Sequence, residues 1–555
     1  MDNPEPEPNP FIQSYRLILD ILPYKSALKL SLLNKYCWRT FTTKTKRLHL
    51  YQENTIDLGF NIFVSKLNVC NLTIKLNPSI ILPILPITCE KLTIILSISR
   101  IDWSLLDRTK PYALKEIVFE KVQYLHDVSI QNLPLTLEVL HLPILFNSNV
   151  TCLESLSRLT HLTFGRNFAM RVNNLPSNLT HLKFGFWFNQ PIDNLPSTLT
   201  HLTFGEKFNQ RVKNLPSTLT YLKFGSTFDQ SISRLPPNLK TLIFGWCFIR
   251  DIRNLPPTLI KLVFDGLFNK AIDSLPPTLK SLTLGFNFNQ TIDHLPNLTH
   301  LTLGFNFNQT IDHLPNLTHL TLENRFNQSV DKLPQSLTHL TFGNDFNKPV
   351  NFLPHSLTNL TFGLEFNQEI PILPSSLTHL TFGDRFNKSI DNIPIRITNL
   401  AFGSDFDQPT LRLASLPHLR HLEFGYQFQH GIYAHSITHL TISLDSTLML
   451  DHNLDALPKT ITHLNIIYDS EIIIRDLSNV LLNLTHLGLH HFPDEIPELP
   501  EKITHLTIVD SKIVDILSPG KGIMPTLPKS LVHINLPKRR FLSNDVSPGI
   551  EVEWR

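Results

Sequence analysis

The stretch LTHLKFGFWFNQPIDNLPST, Leu179–Thr198, is followed directly by LTHLTFGEKFNQRVKNLPST, Leu199–Thr218. The same pattern recurs thirteen times along the chain, at spacings of nineteen or twenty residues. The residue that opens each copy is Leu159, Leu179, Leu199, Leu219, Leu239, Leu259, Leu279, Leu298, Leu317, Leu337, Leu357, Leu377 or Ile397. A fixed period in this range is typical of a solenoid, in which each turn packs only on its neighbours.

Each copy begins with a segment that alternates apolar and polar residues, as a half-buried strand does. In the copy that starts at Leu199, this alternation predicts that Leu202 and Phe204 face the core, while His201 and Thr203 face outward. Gly205 ends the segment, which indicates a corner with positive φ or a close backbone approach. The inward positions of this copy are predicted to be Leu199, Leu202, Phe204, Phe208, Val212 and Leu215. No segment of a copy is long enough for a regular α-helix, so the opposite side should be extended or form one tight turn.

Composition narrows the classes of function. The formal net charge is only +2 over 555 residues, and 17% of the residues are charged. A net charge this small does not indicate a basic surface for binding nucleic acid. No run of eighteen apolar residues predicts a membrane span. The five cysteines are odd in number and share no CxxC spacing, which favours a reducing compartment and excludes a zinc or disulfide framework.

An asparagine recurs directly after the second phenylalanine of most copies. Its amide can both donate and accept, so stacked copies could satisfy backbone groups at the turn. We therefore predict a structural ladder made of Asn189, Asn209, Asn269, Asn289, Asn308, Asn327, Asn347, Asn367 and Asn387.

A second series occupies the outward position at the start of each strand, where thirteen of the 25 histidines lie. Three interpretations are open: a solvated structural ladder, a partner-binding face, or a metal site. Rungs about 4.8 Å apart on a flat sheet do not converge as zinc ligands must, so we predict no metal there. The predicted partner-binding residues are His181, His201, His300, His319, His339, Asn359, His379 and Asn399.

No catalytic motif of the GxSxG, HExxH or GxxxxGK[ST] kind occurs in the chain. The Ser and Asp residues that could be nominated, such as Asp193, fall at variable turn positions. We therefore predict that the protein is not an enzyme and uses no cofactor.

The LxxLxF pattern with Leu-Pro near its end resembles a leucine-rich repeat, and HLTFGxxFNQxIxxLP resembles the FNIP repeat more closely. The resemblance implies a β-rich solenoid, leucine-rich-repeat-like, with a parallel strand ladder. Its asparagine follows the strand phenylalanine by five positions instead of three, which departs from the usual leucine-rich consensus. FNIP proteins of this kind are found in amoebae and in giant viruses of amoebae.

Ahead of the repeats, residues 10–45 read as short amphipathic helices interrupted at Pro23. This small α-helical segment resembles an F-box, with the basic and aromatic tail at Lys35, Tyr36 and Trp38. By that resemblance, a Skp-type adaptor of a cullin-RING ubiquitin ligase would contact Leu19, Leu22, Pro23, Leu28 and Leu32. A plain helical cap on the solenoid is the alternative interpretation.

The predicted organisation is a Pro-rich acidic tail (1–9), the F-box-like segment (10–45), degenerate repeats (46–158), regular repeats (159–436), degenerate repeats (437–536) and a basic tail (537–555). The predicted function is that of an F-box-type substrate receptor, whose solenoid binds an unknown protein target. The alternative is a repeat scaffold without any link to ubiquitin. The predicted location is the cytoplasm, of a host cell if the protein is viral, with the nucleus as the alternative.

Overall fold

A computed structural model describes residues 47–51, 71–76, 89–96, 113–120, 130–232, 234–292, 295–311, 314–444, 457–468, 481–490, 499–509, 528–536 and 551–554. The predicted helical segment at 10–45 therefore lies outside the described residues. The chain forms two units, Met1–Gly266 and Leu267–Arg555, and each is described by itself.

The first unit is a parallel β-solenoid in which every strand pairs with the next one in the sequence. Its described strands are β1 Arg47–Tyr51, β2 Asn71–Leu76, β3 Lys91–Leu96, β4 Glu116–Glu120, β5 Val139–His141, β6 His161–Thr163, β7 His181–Lys183, β8 His201–Thr203, β9 Tyr221–Lys223, β10 Thr241–Phe244 and β11 Lys261–Phe264.

The second unit repeats the same architecture, again with parallel pairing of consecutive strands. Its described strands are β12 Ser281–Leu284, β13 His300–Leu303, β14 His319–Leu322, β15 His339–Thr341, β16 Asn359–Thr361, β17 His379–Thr381, β18 Asn399–Ala401, β19 His421–Phe424, β20 His439–Leu444, β21 His463–Tyr468, β22 His486–Leu489, β23 His505–Ile508, β24 His533–Leu536 and β25 Glu551–Trp554. The parallel sheet predicted from the repeat is confirmed. Strand β25 lies in the segment predicted to be a tail and pairs with β24.

The strands pair so that equivalent residues of successive copies are neighbours. His181 pairs with His201, for example, and Leu182 pairs with Leu202. A slip of one residue would move the buried leucines to the outer face, so the alternating pattern fixes the register.

Stacking places the apolar residues of each copy in continuous buried columns. Leu199, Leu202, Phe204 and Phe208 are at most 2% exposed. The Phe204 and Phe208 rings stack with centroids 3.8 Å apart, and Phe208 stacks on Phe228 of the next turn at 6.1 Å. Each buried side chain of this size contributes about 1.5–3 kcal/mol, and it can do so only when neighbouring turns cover it.

The glycine that follows the strand in most regular copies is explained by a close backbone approach. A Cβ built on Gly205 would overlap the carbonyl oxygen of Gly185 in the preceding turn. No described glycine of the corner series has a positive φ. Of the two reasons predicted for this glycine, close approach is therefore the correct one.

Two details of the repeat differ from the predicted pattern. The regular strand in the copy from Leu199 covers only His201–Thr203, because the chain turns at Gly205. Leu215 is half-buried while Pro216 is buried, and the carbonyl of Pro216 accepts the N–H of Leu219 at 3.2 Å.

Within the described ranges the helical segments are two single 3-10 turns, Thr151–Ser155 and Leu411–Ser415.

Candidate functional site

The outward side chains of the strands form stacked columns. In the first unit, the imidazole rings of His161, His181 and His201 stack with centroid separations of 4.1 and 4.2 Å. Tyr221 takes the next rung and stacks on His201 at 5.5 Å. The column then gives way to other residue types, because Thr241 opens β10.

In the second unit, His300, His319 and His339 stack at 4.3 and 4.2 Å. Asn359 pairs in register with His339, and the alternation of histidine and asparagine continues through His379 and Asn399. A further column of the same unit runs through His421, His439, His463, His486, His505 and His533.

A threonine precedes nearly every one of these histidines and fixes its ring. The Thr180 hydroxyl donates to the carbonyl of Thr160 at 3.1 Å and is hydrogen-bonded to Nδ1 of His181 at 2.9 Å. The same arrangement holds His339 through Thr338. Because Nδ1 is engaged within the rung, Nε2 is the ring atom left for a partner. Among the described residues, neither of these two histidines has a hydrogen-bond partner on Nε2.

Six consecutive strands of the second unit, β13–β18, present two rows of uncharged side chains. Each strand contributes its first and third residues, which are exposed or half-buried. We call this set the strand face: His300, Thr302, His319, Thr321, His339, Thr341, Asn359, Thr361, His379, Thr381, Asn399 and Ala401. It brings together six of the eight residues predicted to bind a partner. The other two, His181 and His201, lie in the first unit, where Lys183 and Lys223 add charge to the third position.

Burial and mutual proximity lower the pKa of several histidines in these columns, among them His181, His319 and His463. Partial burial, reinforced by the neighbouring His161 and His201, lowers the pKa of His181 to about 4. Burial and the adjacent His439 and His486 lower the pKa of His463 to about 4 as well. Burial also lowers the pKa of His319, and its neighbours His339 and His300 add to the effect. Stacked rings cannot all be protonated without mutual repulsion.

The asparagine series makes hydrogen bonds between turns at a different place in the repeat. Oδ1 of Asn327 accepts the backbone N–H of Asn347 at 3.0 Å, and Oδ1 of Asn347 accepts the N–H of Asn367 at 3.1 Å. The Gln368 side chain also donates to Asn347 Oδ1, at 2.9 Å. The Oδ1 acceptors of Asn327 and Asn347 are thus engaged within the protein, as a structural ladder requires.

The remaining predictions concern the adaptor-binding residues, metal sites and membrane spans. Leu19, Leu22, Pro23, Leu28 and Leu32 lie outside the described residues. Within the described ranges, no three His, Cys, Asp or Glu side chains are arranged to hold a metal ion. No helix in the part of the chain that the structure describes is long and apolar enough to cross a membrane.

Sequence reasoning placed threonine on the outward face but named only histidines and asparagines as partner-binding residues. Thr302, Thr321, Thr341, Thr361 and Thr381 complete the strand face, two positions after the histidine or asparagine of each strand. The same alternation that placed the histidines outward contains this signal, because residues two apart share a face of the sheet.

A protein-family model, the FNIP Repeat, matches the chain over residues 157–187, 169–207, 188–227, 208–247, 249–287, 268–306, 326–365, 366–393 and 389–427. These matches fall on regular copies of both units and leave residues 307–325 unmatched. No curated protein matches the chain.

Solved structures are also similar to it. CroV588, described as a circular LRR protein, is 34% identical with a TM-score of 0.66, and the alignment covers 92% of this chain and 80% of that one. YopM from Yersinia enterocolitica is 20% identical with a TM-score of 0.41, covering 79% of this chain and 91% of that one.

Proposed function

Because this chain belongs to the FNIP-repeat family of leucine-rich-repeat-like proteins, we propose that it is a non-catalytic interaction protein whose strand face binds a protein partner. The observation that carries the proposal is the in-register run of β13–β18, whose outward positions hold no Lys, Arg, Asp or Glu. A face of this kind offers hydrogen bonds and flat ring surfaces without strong charge.

The chemistry of the strand face favours an uncharged polar partner surface. Burial lowers the pKa of His319, so the imidazole of this residue is neutral near pH 7. Because each threonine hydroxyl gives its one proton to a carbonyl, Nδ1 carries the ring proton and Nε2 of a neutral ring accepts a single hydrogen bond. The Asn359 amide can both donate and accept. The partner is therefore expected to present amide or hydroxyl groups, such as an extended backbone or Ser, Thr, Asn and Gln side chains.

The strand face is too small to form a stable protein interface by itself. Five strand spacings of about 4.8 Å make it about 24 Å long, and a three-residue strand is about 10 Å wide. The resulting area of about 240 Å² is well below the roughly 800 Å² per partner of a standard stable interface. The partner must therefore also contact flanking loops or further strands, and no single side chain is expected to dominate binding.

The experiment compares two sets of substitutions in the full chain. His319→Ala, His339→Ala and His379→Ala together remove three rings from the strand face. Gln335→Ala, His355→Ala and Ser375→Ala remove exposed side chains of the same turns outside the strands. Both sets should leave folding intact, since they lie outside the buried columns and surface substitutions usually change stability by about 0.5 kcal/mol or less each.

Partners captured from cells should be lost with the first set and kept with the second. If the first variant kept its partners and the second lost them, the interface would lie in the loops and the proposal would be wrong.

Residues 10–45 supply a further part of the proposal, that the protein is a substrate receptor of a cullin-RING ubiquitin ligase. What supports it is the F-box resemblance and the position of the segment directly ahead of a repeat array. Leu19, Leu22, Pro23, Leu28 and Leu32 would contact the Skp-type adaptor. Ubiquitin ligases of this class work in the cytoplasm and nucleus, so the protein would work there too.

Co-purification with a Skp-type adaptor tests this part separately. The full chain should retain the adaptor, and Leu22→Asp with Leu28→Asp should abolish retention while partner binding by the strand face persists. Failure of the unsubstituted chain to retain any Skp-type adaptor would leave the repeat scaffold without a link to ubiquitin as the remaining function.

A further inference from the structure

The loops that follow β8, β9 and β10 enclose an open cavity of about 610 Å³ in the first unit. Four of its lining residues are basic: Arg211, Lys213, Arg234 and Arg250. Asp229 is the one acidic residue of the lining. These loops are separate in sequence from the outward strand positions, so the cavity is a feature distinct from the strand face.

Three of the four positive charges of the cavity have no carboxylate partner among the described residues. Arg250 is engaged, because its Nη2 lies 2.6 Å from Asp229 Oδ2 and its Nε donates to the Asp229 carbonyl at 3.0 Å. In the described part of the chain, no carboxylate lies within ion-pair distance of Arg211, Lys213 or Arg234. Four cations and one carboxylate leave the lining at +3, more than the +2 of the whole chain.

The repeat itself does not require these basic residues. The position of Lys213 is held by Asp193 in the preceding copy, by Asp273 and Asp331 in others, and by Asn351 in one more. Threonine holds the position of Arg211 in two copies, and asparagine holds that of Arg234 in the copies on either side. The copy that begins at Leu179 has Pro191, Asp193 and Asn194 at these positions, and its strand pairs in register with those on either side. Packing of the repeat therefore does not require the three cations.

We propose that this cavity binds a small molecule through a diphosphate group. Its volume falls within the range of about 300–1,000 Å³ typical of small-molecule sites. Guanidinium groups bind phosphate oxygens through paired hydrogen bonds, and three unpaired cations match the charge of a diphosphate. Asn214, Gln230 and Ser231 also line the cavity and can donate further hydrogen bonds.

Isothermal titration of the full chain with inorganic pyrophosphate tests the assignment. The cavity variant combines Arg211→Thr, Lys213→Asn and Arg234→Asn, which are the residues that other copies carry at these positions. The control variant combines Lys348→Gln, Lys388→Gln and Arg396→Ser, which removes the same charge from the second unit with residues equally native to the repeat. Thermal melts of both variants should match that of the unsubstituted chain.

One pyrophosphate per chain should bind, more tightly than inorganic phosphate and more weakly as salt is raised. The cavity variant should weaken this affinity about tenfold or more, while the control variant leaves it within about twofold. Absence of binding, or equal loss in the two variants, would overturn the proposal. An oligonucleotide that binds more tightly than pyrophosphate through the same three residues would also overturn it.

Discussion

Phe268 is among the largest fully buried side chains of the chain, with 1% of its surface exposed. Its ring stacks on Phe288 of the next turn, with centroids 6.4 Å apart. Phe268→Ala should therefore lower the free energy of unfolding by about 3–5 kcal/mol, since the removed ring leaves a cavity between turns that cannot collapse fully. Urea denaturation followed by circular dichroism measures the change.

Phe352 provides the matched control for this prediction, because 67% of its surface is exposed. Phe352→Ala should change the free energy of unfolding by about 0.5 kcal/mol or less. Comparable losses for the two substitutions would contradict the assignment of Phe268 to the buried column.

Among the elements, the asparagine ladder links turns through a side-chain acceptor. Asn347 Oδ1 accepts the N–H of Asn367. Asn347→Ala leaves that N–H without its acceptor and should cost about 1–3 kcal/mol. Asn347→Asp keeps an acceptor oxygen and should cost less, as Asp407 in the same ladder indicates: its Oδ1 accepts the N–H of Gln429 at 3.0 Å. Equal losses for the two variants in urea denaturation would show that the acceptor is unimportant.

The histidine columns predict how stability depends on pH. The pKa values of His181 and His463 are lowered to about 4 in the folded chain, from an ordinary value of 6.5. Between these values the unfolded chain binds more protons than the native state, so the free energy of unfolding falls as pH drops. The loss should begin near pH 6.5, continue to about pH 4, and be smaller in high salt because the rings are partly exposed.

Thermal melts across this pH range measure the loss. His181→Asn with His463→Asn should reduce the dependence, and asparagine should be tolerated because it holds the same strand position in β16 and β18. His355→Asn, outside the columns, should leave the dependence as it is. A melting temperature that is constant from pH 6.5 to 4 would show that folding does not depend on protonation of the columns.

At the scale of the whole molecule, the repeat predicts that a complete turn can be removed. Residues 282–300 and 301–319 are identical in sequence. Deletion of 301–319 joins His300 to Leu320, so every strand still meets a neighbour of the same sequence and register. The shortened chain should fold and melt cooperatively. Deletion of 301–310 alone breaks the register and should lower the melting temperature sharply, and equal melts for the two deletions would contradict the solenoid.

Much of this fold could be predicted because one pattern repeats. The spacing of Leu199 and its equivalents fixed the parallel register, and the alternation in THLTF fixed which side chains are buried. The short strands were harder to predict, because the corner at Gly205 depends on the carbonyl of Gly185 twenty residues earlier. The half-burial of Leu215 depends in the same way on how Pro216 packs.

The candidate site could be predicted only in part. Alternation placed His339 and Asn359 outward, but the stacking of rings and the engagement of Nδ1 by Thr338 depend on side-chain rotamers. The basic cavity was missed because Arg211 and Lys213 occupy variable positions of the repeat. Only the stacking of neighbouring turns shows that these residues line one cavity.

Photo-crosslinking in cells tests most directly whether the strand face is the binding surface. A photoreactive amino acid is placed at His339 on the strand face or, in a matched chain, at Gln335, which is exposed in the loop before the same strand. The account predicts crosslinks to a protein partner from position 339 and few or none from position 335. Crosslinks from position 335 with none from position 339 would contradict it.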